Sequence, residues 1–135
     1  MSDTSLSLVL KKRKGLFCRY AVLPDLPQLS LHMREDDKNE VYANSGLSPL
    51  AGLIYSFKIS TEVFTVCKED TLEPIFVFGY RIMEPPDLTA CIWLLGTDKI
   101  KKHKRVFLEE SKIYLDYIQS KAKLLYNYVD SRNKS

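Results

Sequence analysis

The residues whose type and spacing could do chemistry are a run of cations: Lys99, Lys101, Lys102, Lys104 and Arg105, with His103 among them. They follow Gly96-Thr97-Asp98, where a helix is predicted to begin. Cations at a helix N-terminus oppose its dipole by about 0.3–1 kcal/mol each when exposed, and these also repel one another. Local stability therefore does not account for them. A solvated face is one reading. The other is a balancing anion: a phosphate-bearing ligand, nucleic acid or an acidic patch on a partner. Lys11–Lys14 invites the same pair of readings. Other chemistry has less to stand on. Two histidines and the separated Cys18, Cys67 and Cys91 build no metal cluster and no CxxC pair. No nucleophile–base spacing, P-loop or dinucleotide fingerprint is present.

The elements around the cation run read clearly. Ala90 to Leu95 is apolar without a polar face, which suits a central strand covered on both sides. Thr97 and Asp98 are capping residues, so a long helix over Lys99–Leu124 is predicted to start near them. On that helix Phe107, Leu108, Ser111, Tyr114, Leu115, Ile118, Ala122 and Leu125 share one stripe. Val106, Ile113, Tyr117 and Leu124 form a thinner line beside it, either more core or a contact surface. Earlier in the chain, Leu16–Val22 reads as a strand and Asp25 as the cap of a helix reaching Met33. Arg34–Glu40 is charge-dense and of open form, and Ser48-Pro49 starts a helix through Leu50, Leu53, Ile54 and Phe57. Glu62–Cys67 and Ile75–Met83 are strands, with Gly79 marking a place where something approaches the backbone. Glu84-Pro85-Pro86-Asp87 is a loop, and Leu125–Asp130 a last strand. The sum is an α+β sheet with helices on its faces.

The chain has 135 residues, 45% apolar and 27% charged, with net charge +3, which suits one domain with a single sizeable core. A basic, flexible arm is expected over residues 1–15 and the domain over 16–135. The N-terminal apolar run is short and precedes its cations, the wrong order for a signal peptide, and no run reaches membrane-spanning length. The thiols read as reduced, in a cytoplasm-like compartment, and the chain as not secreted.

Particular residues carry a resemblance. They are Met33-Arg34-Glu35-x-Asp37 with Glu40-Val41, Ser45-Gly46-Leu47-Ser48-Pro49-Leu50, Phe78-Gly79 and Cys91–Asp98. Lys102-His103-Lys104-Arg105-x-Phe107-Leu108 and Asn127-Tyr128-Val129-Asp130-x-x-Asn133 complete them. Together they resemble the GNAT acetyltransferase fold and, more closely, the internal virion protein A family of short-tailed phages, whose members have a GNAT-like domain. The resemblance implies a GNAT-like mixed sheet flanked by helices, without the fold's final helix and strands. It implies a virion structural or assembly protein on a degenerate scaffold, found in the particle or the host cytoplasm, with other virion proteins as partners. It leans away from catalysis and expects no cofactor, because GNAT enzymes cradle the acetyl-CoA pyrophosphate on an Arg/Gln-x-x-Gly-x-Gly/Ala loop. Gly96–Arg105 has no second glycine. The alternative is an acetyl-CoA-dependent N-acetyltransferase. Leu94, Leu95, Gly96, Thr97 and Asn133 would then hold the cofactor, Tyr126 or Tyr128 would donate a proton, and the cation run would substitute for the loop. A nucleic-acid-binding accessory protein is the third reading.

Overall fold

The structure is a computed structural model and describes residues 10, 12–13, 15–83, 89–99, 104–120 and 124–127. Its elements are β1 (Lys12–Arg13), β2 (Leu16–Tyr20), α1 (Asp25–Leu31), α2 (Glu35–Ser45) and α3 (Pro49–Ile59). After them come β3 (Glu62–Lys68), β4 (Pro74–Ile82), β5 (Thr89–Gly96), α4 (Lys104–Gln119) and β6 (Leu124–Asn127). The six strands form one sheet in sequence order, antiparallel from β1 to β5 and parallel between β5 and β6. A parallel neighbour cannot be reached by a hairpin, and α4 is the crossover that reaches it. This is the α+β mixed sheet flanked by helices that the sequence predicts.

Strand alternation divides the core into two layers. Phe64, Phe76, Phe78, Tyr80 and Ala90 pack with Tyr114, Tyr117 and Ile118 of α4. On the opposite face Val63, Val77 and Leu95 pack with Leu26, Leu29 and Leu53 of α1 and α3. β4, enclosed from Pro74 to Tyr80, and β3, enclosed from Val63 to Cys67, are the strands buried on both sides among the described residues. The expectation of a fully covered β5 is corrected, because Cys91 to Leu94 are only half-buried. β5 stands next to last in the sheet, where cover thins, and the equally apolar Ile75–Phe78 takes the centre.

Several local expectations change for physical reasons. Asp25 is not a cap but the first residue of α1, with its carboxylate turned onto the sheet. It takes both arms of Arg19 at 2.8 Å, the Thr65 hydroxyl at 2.9 Å and the Val22 N–H at 3.0 Å. Burial favours its protonated form, but these donors outweigh it and hold the carboxyl below its ordinary range. Arg34–Glu40 is mostly helix: α2 opens on Glu35, Asp36 and Asp37, whose charges favour a helix N-terminus. Thr97 does not cap α4, since its hydroxyl donates to the Ile75 carbonyl and its backbone bridges Met33. α4 starts at Lys104 and buries Tyr114 and Ile118 of the main stripe together with Tyr117 of the thinner line, while Leu115 is 40% exposed. Ser48 does cap α3, accepting the Ala51 N–H. From the expected arm, Lys12–Arg13 pair with β2, and Lys12 lies 3.3 Å from Glu69. The loop Glu84–Asp87, residues 1–9, Ala122 and the end of the chain from Tyr128 lie outside the described residues.

Candidate functional site

β5 pairs with β4 along its whole length, from Ile82↔Ala90 to Phe76↔Gly96. Its ladder with β6 runs from Thr89↔Leu124 to Ile92↔Asn127, where the described residues of β6 end. Beyond Ile92 the strand runs on to Gly96. Gly96 shows which way the backbone points there: its N–H donates to the Asp37 carboxylate at 2.7 Å, and its carbonyl accepts the Arg34 N–H at 2.8 Å. Both groups therefore face away from β4. In an antiparallel ladder alternate residues point alike, so the N–H and C=O of Leu94 face the same way. Among the described residues neither has a partner.

A cavity lies on each side of this edge. Toward α4 a hollow of about 190 Å³ is bounded by Ile92 and Leu94 of β5 and by Ser111, Tyr114 and Leu115. Toward α2 and α3 a cleft of about 350 Å³ is lined by Cys91, Trp93, Glu40, Tyr55, Ser56 and Arg81, among others. Ile92 and Trp93 belong to both. Trp93 is fastened. Its indole N–H donates to the Ser60 hydroxyl at 2.8 Å, and its ring occupies the place a side chain at Gly79 would need, 2.8 Å from a would-be Cβ. Gly79 thus has the close approach its position in the strand implies.

Two carboxylates, the buried Asp37 and the half-buried Glu62, brace the site. Asp37 is 3% exposed, and burial pushes its carboxyl up to about 6 despite the Gly96 N–H and the Arg34 charge, which favour the ionised form. Glu62 accepts the hydroxyls of Tyr20 and Tyr117 at 2.8 Å each and that of Tyr80. Burial first, and the Glu62 carboxylate next, raise the Tyr80 and Tyr117 phenols above their ordinary range. This cluster ties α4 to β2, β3 and β4, and so fixes the wall of the smaller hollow.

The predicted site residues scatter around this edge. Leu94 offers a backbone pair unpartnered among the described residues, Leu95 faces the α1–α3 core, and the backbone of Gly96 is bound to Asp37 and Arg34. Thr97 is 2% exposed and bound to Ile75. Tyr126 stands beside Cys91 in the β5–β6 register. Tyr128 and Asn133 lie outside the described residues. In the cation run, Lys99 is corrected from a free anion binder: its ammonium grips both oxygens of Glu73 at 2.5 Å. Lys104 and Arg105 open α4, while Lys101 and Lys102 lie outside the described residues. The cleft residues Glu40, Arg81 and Trp93 were not singled out for chemistry by sequence reasoning. The available signal was Arg81 two residues beyond Gly79, on the same face of its strand. Among the described residues no group of acids, histidines and cysteines could hold a metal, and no helix is long and apolar enough to cross a membrane.

No family model and no curated protein matches the chain. Solved structures do. An acetyltransferase of the GNAT family from Bacillus anthracis matches with TM-score 0.59 and 13% identity, over 90% of this chain and 74% of that one. A possible acetyltransferase from Clostridium difficile 630 gives 0.56 and 15%, over 89% and 83%. A candidate phosphinothricin N-acetyltransferase gives 0.51 and 14%, and there the match covers 75% of this chain and 64% of that one. At such identities the likeness shows the fold: a GNAT-like domain. The virion structural role is overturned, since these neighbours are acetyltransferases and nothing supports the phage family.

Proposed function

We propose that this GNAT-like domain is an N-acyltransferase that takes its acyl group from acetyl-CoA. The observation that carries the reading is the Leu94 N–H and C=O, turned away from β4 and unpartnered among the described residues, between two cavities. The pantetheine arm of the cofactor bears amides, so a strand edge can hold it as it would hold another strand. Leu94 would take that role. Lys101, Lys102, Lys104 and Arg105 would supply positive charge for the phosphates, in place of the backbone cradle that Gly96–Arg105 lacks. When bound, the cofactor supplies an acyl group activated as a thioester.

The chain's own residues do the rest. The amine enters the larger cleft, where Glu40 accepts its proton. Transfer of the acyl group to the nitrogen would release the cofactor's thiol, and Tyr126 or solvent would supply that thiol's proton. Trp93, locked by Ser60, keeps both partners in register, and the apolar walls exclude water. Calorimetric titration with acetyl-CoA tests the reading. A Kd of about 100 µM or tighter, about −5.5 kcal/mol, is expected, with thiol release on adding amines. A flat titration to about 1 mM overturns it.

A further inference from the structure

We infer that the acceptor is a free α-amino acid with an apolar side chain, its carboxylate held by Arg81. This rests on the acyltransferase reading and adds the chemistry of the second substrate. Three properties of the larger cleft point to it.

The first is charge. Among the described residues that line it, the cleft has one carboxylate, Glu40, and one guanidinium, Arg81, a pair complementary to a zwitterion. Arg81 projects from β4 on the same face as Gly79, opposite Cys91 in the register with β5. Arg19 and Arg34 spend their charge inside the fold, on Asp25 and on Asp36 and Asp37. Arg81 makes no hydrogen bond or ion pair among the described residues. A guanidinium presents two parallel donors, the geometry a carboxylate accepts.

The second is the remaining wall. Val41, Ile59, Met83, Trp93 and Leu95 make it chiefly apolar. Its floor lies where α3 touches α2: a Cβ on Gly52 would fall 2.3 Å from Val41 Cγ1. An apolar side chain rests there while the carboxylate stays at the exposed rim with Arg81.

The third is size. At about 350 Å³ the cleft stands at the small end of ligand pockets, which run from about 300 Å³ upward. That suits a single leucine or phenylalanine better than a long peptide. With both ends placed, the amine is carried toward Ile92 and Trp93, the residues this cleft shares with the hollow beside Leu94.

Trp93 is the only tryptophan of the chain, so its emission reports occupancy of the cleft without any cofactor. Leucine and phenylalanine, their carboxamides and their decarboxylated amines are titrated against the cofactor-free protein. The amino acids should change the emission saturably, and the amides and amines should bind about 10- to 100-fold more weakly. Arg81→Met should erase that preference and Arg81→Lys restore part of it, with melting curves like the parent's. Equal binding of the carboxamides, tighter binding of peptides through their N-termini, or a preference surviving Arg81→Met would each overturn the inference. Acetyl-CoA calorimetry on the same protein separates the two readings. If the cofactor binds and amino acids leave Trp93 unchanged, the acceptor inference fails and the acyltransferase reading stands. If amino acids bind and acetyl-CoA does not, Arg81 still marks an amino-acid site and the acyltransferase reading fails.

Discussion

Gly79→Ala tests whether Trp93 is held as the structure has it. The new methyl carbon would lie 2.8 and 2.9 Å from two atoms of the indole and 2.9 Å from the Glu62 carbonyl oxygen, where ordinary contact begins near 3.4 Å. The carbonyl belongs to the β3–β4 ladder next to the Val63↔Gly79 pair and cannot retreat without loosening it. The indole can retreat only by giving up its hydrogen bond to Ser60. Overpacking of this kind costs about 1–3 kcal/mol, and the lost hydrogen bond about 1 kcal/mol more. The expected loss is about 2–4 kcal/mol. With a urea slope of about 1–3 kcal/mol per molar, the midpoint should fall by roughly 1–2 M. Far-UV circular dichroism is the assay for unfolding, because the fluorescence comes from the displaced ring itself. Native emission should shift to the red as the indole meets water. A midpoint within about 0.2 M of the parent, with unchanged emission, would refute the packing argument.

The Asp37 carboxyl titrates near 6 in the fold, above its ordinary 3.8, so the folded chain holds this proton more tightly than the unfolded one. Its contribution to stability is therefore full below about pH 3.8 and lost as pH rises toward 6, a swing of about 3 kcal/mol. Asp37→Asn keeps an acceptor for the Gly96 N–H without the charge. It should match the parent at pH 4 and exceed it at pH 7.5 in urea midpoints, and a weaker variant at pH 7.5 would sink the assignment. Salt tests the split between the cofactor's two ends. Exposed charges are screened within about 10 Å at 0.1 M salt, so acetyl-CoA should bind more weakly as salt rises while acetyl-pantetheine does not. Equal salt sensitivity of the two in calorimetry would remove the cation run from the site.

The sheet was legible because its signals are local. The apolar runs of β4 and β5 and the Ser48-Pro49 start of α3 need no tertiary knowledge to be read. α2 was not, because Val41 and Asp37 are its buried residues and no apolar stripe announces it. Asp37 is buried for the sake of the Gly96 amide, a contact 59 residues away in sequence. The thinner line of α4 was left open between core and contact surface for a related reason. Tyr117 counts as an amphipathic residue in a helical pattern, yet its hydroxyl has a fixed destination on Glu62, and that bond helps choose the inward face. Arg81 and Glu40 read as ordinary surface charges until α2 and β5 enclose a cleft between them.

The edge of β5 explains why so little of the site is written as a motif. Ile92, Leu94 and Gly96 turn their amides away from β4. Ile92 pairs with β6, and Gly96 gives both its backbone groups to the start of α2. Among the described residues Leu94 is left without a partner, and the group it offers is main-chain, so any residue but proline could supply it. The glycine that sequence reading places at the cofactor anchors α2, and anchoring α2 is what brings Glu40 and Val41 over the cleft. One contact, Asp37 to Gly96, thus occupies an amide at the edge of β5 and sets one wall of the larger cleft.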